Sequence, residues 1–93
     1  MDRESSLTLL RDTHTFPGVF EFVVVARATA MTSIVSAAVA AGGEGSRLET
    51  VSERHSAKGT YVSLHLHIHV ERAEQVLDVY SVLQRLDGVL KTM

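Results

Sequence analysis

The sequence predicts an α+β domain built in the order β-α-β-β-α-β, and three observations carry that expectation. Tyr61 to Val70 alternates strictly between apolar and polar side chains, the period-two signature of a strand buried on one face. Val19 to Arg27 is a β-branched and aromatic run, suited to a second and more buried strand. Residues 31–38 and 76–83 switch to the spacing of apolar helical stripes. Two strand–helix–strand units in one short chain suit the split βαβ, ferredoxin-like arrangement: a four-stranded antiparallel sheet in the order 4-1-3-2, both helices on one face. The first and third strands then lie in the middle, and the second and fourth form the edges.

Taken in chain order, residues 1–15 are polar around a Leu7-Leu9-Leu10 cluster and read as either a tail or a docking segment. Residues 16–93 form the single domain. Phe16-Pro17-Gly18 is a turn signal, because proline sets φ and glycine permits positive φ. In the first strand Phe20, Phe22, Val24 and Ala26 share one face, and Val19, Glu21, Val23, Val25 and Arg27 share the other. Met31, Ile34, Val35 and Ala38 form the stripe of the first helix; Thr29 or Thr32 can cap its start, and Gly42-Gly43 stops it. Its opposite face, from Thr32 to Ala40, is small and uncharged. Arg47 to Arg54 reads as a weak, polar strand of the kind found at a sheet edge, followed by a loop at Ser56-Ala57-Lys58-Gly59. In the third strand Val62, Leu64, Leu66, Ile68 and Val70 face one way, and Tyr61, Ser63, His65, His67 and His69 the other. Val76, Tyr80, Leu83 and Leu86 or Asp87 mark the second helix, Gly88 ends it, and Val89 to Met93 forms the last strand.

Composition narrows the classes of function. The chain has no cysteine, which removes disulfides, zinc ribbons and thiol catalysis. Nine Lys+Arg against eleven Asp+Glu give a net charge of −2 with no block of like charge, so no nucleic-acid partner is expected. The RNA-recognition motif shares this strand order but stacks bases on aromatic residues of its central strands, whereas both phenylalanines of the first strand face the core here. The charge-free run from Ala28 to Gly43 is shorter than the roughly 20 residues that span a bilayer. Asp2-Arg3-Glu4, with no apolar run behind it, is not a signal peptide. A cytoplasmic protein with no membrane partner is the expectation. Acylphosphatases share the architecture but place their water with an asparagine, and this chain has none. No nucleophile sits on a recognisable elbow, and Tyr80 reads as a core residue whose hydroxyl reaches outward, so no catalysis is expected.

Three groups of residues can carry chemistry. Histidines at i and i+2 on one strand face lie about 6.5–7 Å apart, close enough to share an ion, whereas i and i+4 lie about 13 Å apart. A zinc or nickel site would therefore use His65 and His67, or His67 and His69, with Glu21 of the neighbouring strand as a further ligand. The same row is equally a solvated or partner-facing sheet surface. Val19, Val23 and Val25 make the face partly apolar at its centre, which suits a symmetric homo-oligomer, most simply a dimer. A face paired through neutral imidazoles would loosen on acidification. Lys58 and Gly59, with Arg54 and Tyr61 nearby, suit either an anion-binding loop or a tight turn that lets Tyr61 cover the sheet.

Ser56-Ala57-Lys58-Gly59-Thr60-Tyr61-Val62-Ser63, then Glu74-Gln75-Val76, Tyr80, Leu83, Asp87 and Val89, together with Phe16-Pro17 and Phe20, resemble the YbeD-like proteins. These are small bacterial domains, some labelled lipoate-regulatory, that resemble regulatory ACT domains in fold. The resemblance implies a ferredoxin-like domain without catalytic activity. Ala57 replaces the second serine of that family's Ser-Ser-Lys-Gly loop, and the histidine row is not a family hallmark, so a histidine function would be particular to this chain. The expectation that joins these readings is a non-catalytic regulatory or adaptor domain that needs no cofactor, self-associates, and binds a small effector or a protein. The alternative is a metal-binding protein centred on the histidine row.

Overall fold

The computed structural model describes residues 2–93. Its elements are helix α1 (Arg3–Thr13), strand β1 (Gly18–Arg27), helix α2 (Met31–Gly42), strand β2 (Arg47–His55), strand β3 (Tyr61–Val70), helix α3 (Ala73–Leu83) and strand β4 (Val89–Thr92). The strands form one sheet in the order β2-β3-β1-β4, every neighbouring pair antiparallel. This is the α+β, ferredoxin-like arrangement expected from the sequence. β1 and β3 pair without a break from Gly18–Val70 to Arg27–Tyr61 and form the centre of the sheet.

The core follows from the period-two pattern. Val62, Leu64, Leu66, Ile68 and Val70 of β3, with Phe22, Val24 and Ala26 of β1, are buried against Ile34 and Ala38 of α2 and Val76, Val79 and Leu83 of α3. The intervening residues of both central strands point to the face that α2 and α3 leave uncovered. Phe20 is only half-buried because β4 flanks β1 from Val24 to Ala26 and stops short of it. His14 and Tyr80 cover it instead, with ring centroids 4.8 and 6.3 Å from that of Phe20.

Three local details differ from the sequence reading or complete it. Most of residues 1–15 form α1, started by Asp2, whose Oδ1 accepts a hydrogen bond from the Ser5 N–H at 2.8 Å. The helix docks on α3 through buried Leu7 and two ion pairs, Arg3–Asp78 at 3.3 Å and Arg11–Glu74 at 2.9 Å. Neither Thr29 nor Thr32 caps α2. The chain enters that helix through a 3-10 turn, Ala28–Ala30, which presents the Ala28 carbonyl to the Met31 N–H and takes over the role of a side-chain cap. Finally, α3 ends at Leu83, not beside Gly88. From Arg85 to Val89 the chain continues through i to i−3 hydrogen bonds, and Gly88 takes φ +90°. A side chain there would bring its Cβ within 2.6 Å of the Ala30 Cβ, so the loop passes too close for any residue but glycine. Among the described residues, no helix is long and apolar enough to cross a membrane.

Candidate functional site on the uncovered sheet face

Antiparallel pairing sets directly opposed residues on the same face, so the register defines the uncovered surface row by row. Val19, His69 and Arg47 form the first row, Glu21, His67 and Thr50 the second, and Val23, His65 and Ser52 the third. Lys91, Val25, Ser63 and Arg54 form the fourth, across all strands, and Arg27 stands opposite Tyr61 at the end. The face thus has an imidazole half and a cationic half.

In the imidazole half, Glu21 Oε2 is hydrogen-bonded to His65 Nδ1 at 3.2 Å and lies 3.1 Å from His67 Nε2. His67 Nδ1 is buried without a hydrogen-bond partner. An unpaired buried N–H is costlier than an unpaired acceptor, which favours the tautomer with the proton on Nε2, beside Glu21. His69 is drawn away: its side chain is 17% exposed and its Nε2 lies 3.4 Å from Glu71 Oε1. Of the ligand set expected from the sequence, Glu21, His65 and His67 come together and His69 does not. A single carboxylate oxygen occupies the space between the two rings that an ion would need. Among the described residues, no group of three or more His, Asp or Glu side chains is arranged to hold a metal ion.

In the cationic half, Arg54 and Tyr61 line one shallow hollow of about 300 Å³, together with Val25, Ser56 and Ser63. Lys58 and Tyr61 line an adjoining hollow of about 270 Å³. Gly59 lines neither; with φ +75° it closes the β2–β3 hairpin, its N–H donating to the Ser56 carbonyl at 2.9 Å. Ser56 Oγ accepts from the Tyr61 N–H at 3.1 Å, which fixes the start of β3. Arg54, Lys58 and Lys91 are exposed and form no ion pair among the described residues. Of the valines proposed as an oligomer face, Val19 is 55% exposed, while Val23 and Val25 are half-buried by their neighbours.

Three titrating groups are displaced from their ordinary ranges. Burial pushes the Tyr80 phenol up, with a smaller contribution from the Glu21 charge, and its hydroxyl donates to the Met93 carbonyl at 3.1 Å. The Ser5 N–H holds the Asp2 carboxyl down. Glu74 is held down by its own backbone N–H, with Arg11 adding to the effect. These groups lie off the uncovered face and act on docking and packing.

Sequence reasoning missed Lys91 and Gln75. Lys91 reaches the face because β4 shifts register between its partners Val25 and Ala26, and no pattern in so short a strand shows that shift. Gln75 is buried. Its Oε1 accepts from the Glu71 and Arg72 N–H groups at 2.5 and 3.1 Å, and its Nε2 donates to the Glu44 carbonyl at 2.8 Å. A lone glutamine at a helix start signals a cap, but not the distant loop it also holds.

Residues 11–93 match the family model described as "Protein of unknown function (DUF493)". No curated protein matches the chain.

Proposed function

The chain belongs to the DUF493 family, which includes the YbeD-like proteins, and from that premise we propose that it is a non-catalytic regulatory or adaptor domain that self-associates and binds a small effector or a protein partner. One observation supports the reading above the others: the helices cover one face of the sheet, and the other presents exposed Val19 at the start of β1 and half-buried Val23 and Val25 further along it, each beside polar neighbours. Apolar side chains set among polar ones on an uncovered sheet face are the surface chemistry of a contact. The polar groups nearby are engaged in holding one another, Glu21 with His65 and His67, which suits a surface that binds more than one that reacts. A cytoplasmic setting belongs to the same reading and agrees with the lack of cysteine.

Light scattering on the eluting protein tests self-association. The wild type should run at twice the chain mass, and Val19→Asp, which places a charge on the most exposed valine of that face without touching the core, should return it to a single chain. A wild type that stays at one chain mass at the highest attainable concentration would refute the self-association.

The convergence of Glu21, His65 and His67 favours a second reading, a zinc or nickel site in which a rotation of Glu21 opens the space between the rings. Its signature is stoichiometric, proton-releasing binding of the metal that is lost in His67→Ala. Titration without that signal leaves the adaptor reading alone.

A further inference from the structure

We infer that the cationic half of the uncovered face binds a small organic anion carrying at least one carboxylate or phosphate group. The inference names the effector of the preceding proposal and rests on that reading. Its starting point is the hollow between β1, β3 and the β2–β3 hairpin. No carboxylate lines it, and the polar side chains that do are the Arg54 guanidinium, the Tyr61 phenol, the Ser56 and Ser63 hydroxyls and the His55 imidazole, whose Nε2 lies 3.3 Å from Glu53 Oε1. The Ser56 oxygen already accepts from Tyr61 N–H, so its own proton is free for a ligand.

Two more cations flank this hollow. Lys58 stands across Tyr61 in the adjoining depression, and Lys91 stands in register with Val25 on the opposite side. Neighbouring strands lie about 4.8 Å apart, so the backbones of Lys91 and Arg54, three strand spacings apart, are about 14 Å apart. Two long basic side chains can close that gap from both ends. Cations gathered without a counter-charge repel one another, and a bound anion replaces the repulsion with charge-assisted hydrogen bonds. A hollow of about 300 Å³ admits a small molecule and not a folded domain. Val25 and the Tyr61 ring supply an apolar floor for the uncharged part of the ligand.

The test is an amide-resolved NMR titration of the full chain with citrate and, separately, with inorganic pyrophosphate, at low salt. The expected result is saturable shifts at Val25, Arg54, Ser56, Tyr61 and Ser63 with at least one of the two. The tighter of the two identifies the source as carboxylate or phosphate. Arg54→Gln should weaken binding about tenfold, the loss of one charge-assisted contact, and Lys91→Gln by a smaller factor. Arg85→Gln, an exposed cation in the turn after α3 that lines neither hollow, should leave the affinity unchanged. Shifts that never saturate, or an Arg85→Gln effect as large as that of Arg54→Gln, would overturn the inference. So would saturable binding of a hexaglutamate peptide where neither small anion binds, which would assign the surface to an extended acidic segment. Light scattering on the same samples separates the two proposals: a single chain that binds citrate or pyrophosphate removes only self-association, and a dimer that binds neither removes only the anion site.

Discussion

Replacing Gln75 by leucine tests how the two ends of the fold are tied together. The side chain is 2% exposed, so the change keeps its approximate volume and removes only its polar atoms. Three hydrogen bonds go with them: those from the Glu71 and Arg72 N–H groups at the β3–α3 turn, and the one to the Glu44 carbonyl in the α2–β2 loop. At about 0.5–1.5 kcal/mol net for each, the loss lies between about 1.5 and 4.5 kcal/mol. Glu44 and Arg72 are exposed residues, so water can replace part of what is lost, and about 2–3 kcal/mol is the expected cost. For a domain of this size that lowers Tm by roughly 10–20 °C. Urea unfolding followed by circular dichroism measures it, and m should stay at the wild-type value because the folded state stays equally compact. Gln75→Glu separates the partners: it keeps both acceptor bonds but sets an oxygen against the Glu44 carbonyl, and should fall between wild type and leucine. A leucine variant within about 0.5 kcal/mol of wild type, the ordinary range for surface substitutions, would show that these bonds contribute nothing net.

Three further outcomes follow from particular contacts. Gly88→Ala should cost about 1–3 kcal/mol in the same assay, because it forces φ +90° on an L-residue and drives its Cβ into Ala30; a cost below about 0.5 kcal/mol would mean the loop moves freely. Leu66→Ala, at the centre of the buried face of β3, should cost about 2–5 kcal/mol with no change in the ligand titrations. Acid should loosen α1 before the sheet. Asp2 and Glu74 are both held below the ordinary carboxylate range in the folded chain, so the stability they contribute is present above that range and is lost as pH falls below about 4 towards their folded values. Hydrogen exchange of the α1 amides, corrected for intrinsic rates and referenced to β3, should then rise first; simultaneous loss of protection in both elements would refute a separately docked helix.

The architecture was legible because β3 and β1 state their faces at short range. Ten residues alternate in β3 with no exception, and a one-residue slip would have buried three imidazoles. The imidazole half of the candidate site was legible for the same reason, since residues two apart on a strand share a face wherever the strand lies. Glu21 could be named because adjacency of the first and third strands follows from the topology. The cationic half was legible only in pieces. Lys58 and Gly59 stood out as a loop with Arg54 and Tyr61 nearby, but Gly59 turned out to shape the turn without lining a hollow, and Lys91 was not suspected. α1 was the least legible, because one buried leucine and two surface ion pairs acquire meaning only once α3 supplies the other side.

What the sequence by itself determined is therefore the four strands and the two helices that cover them, the strand order and the direction each central side chain faces. These rest on backbone period and burial, which are local quantities repeated along the chain. Only the tertiary structure decided that His69 turns to Glu71 while His65 and His67 share Glu21, that Lys91 enters the row of Val25 and Arg54, and that Gln75 holds a loop 31 residues away. Each of those depends on a pairing register, a bulge or a contact between distant segments, and no residue carries that information in its own neighbourhood.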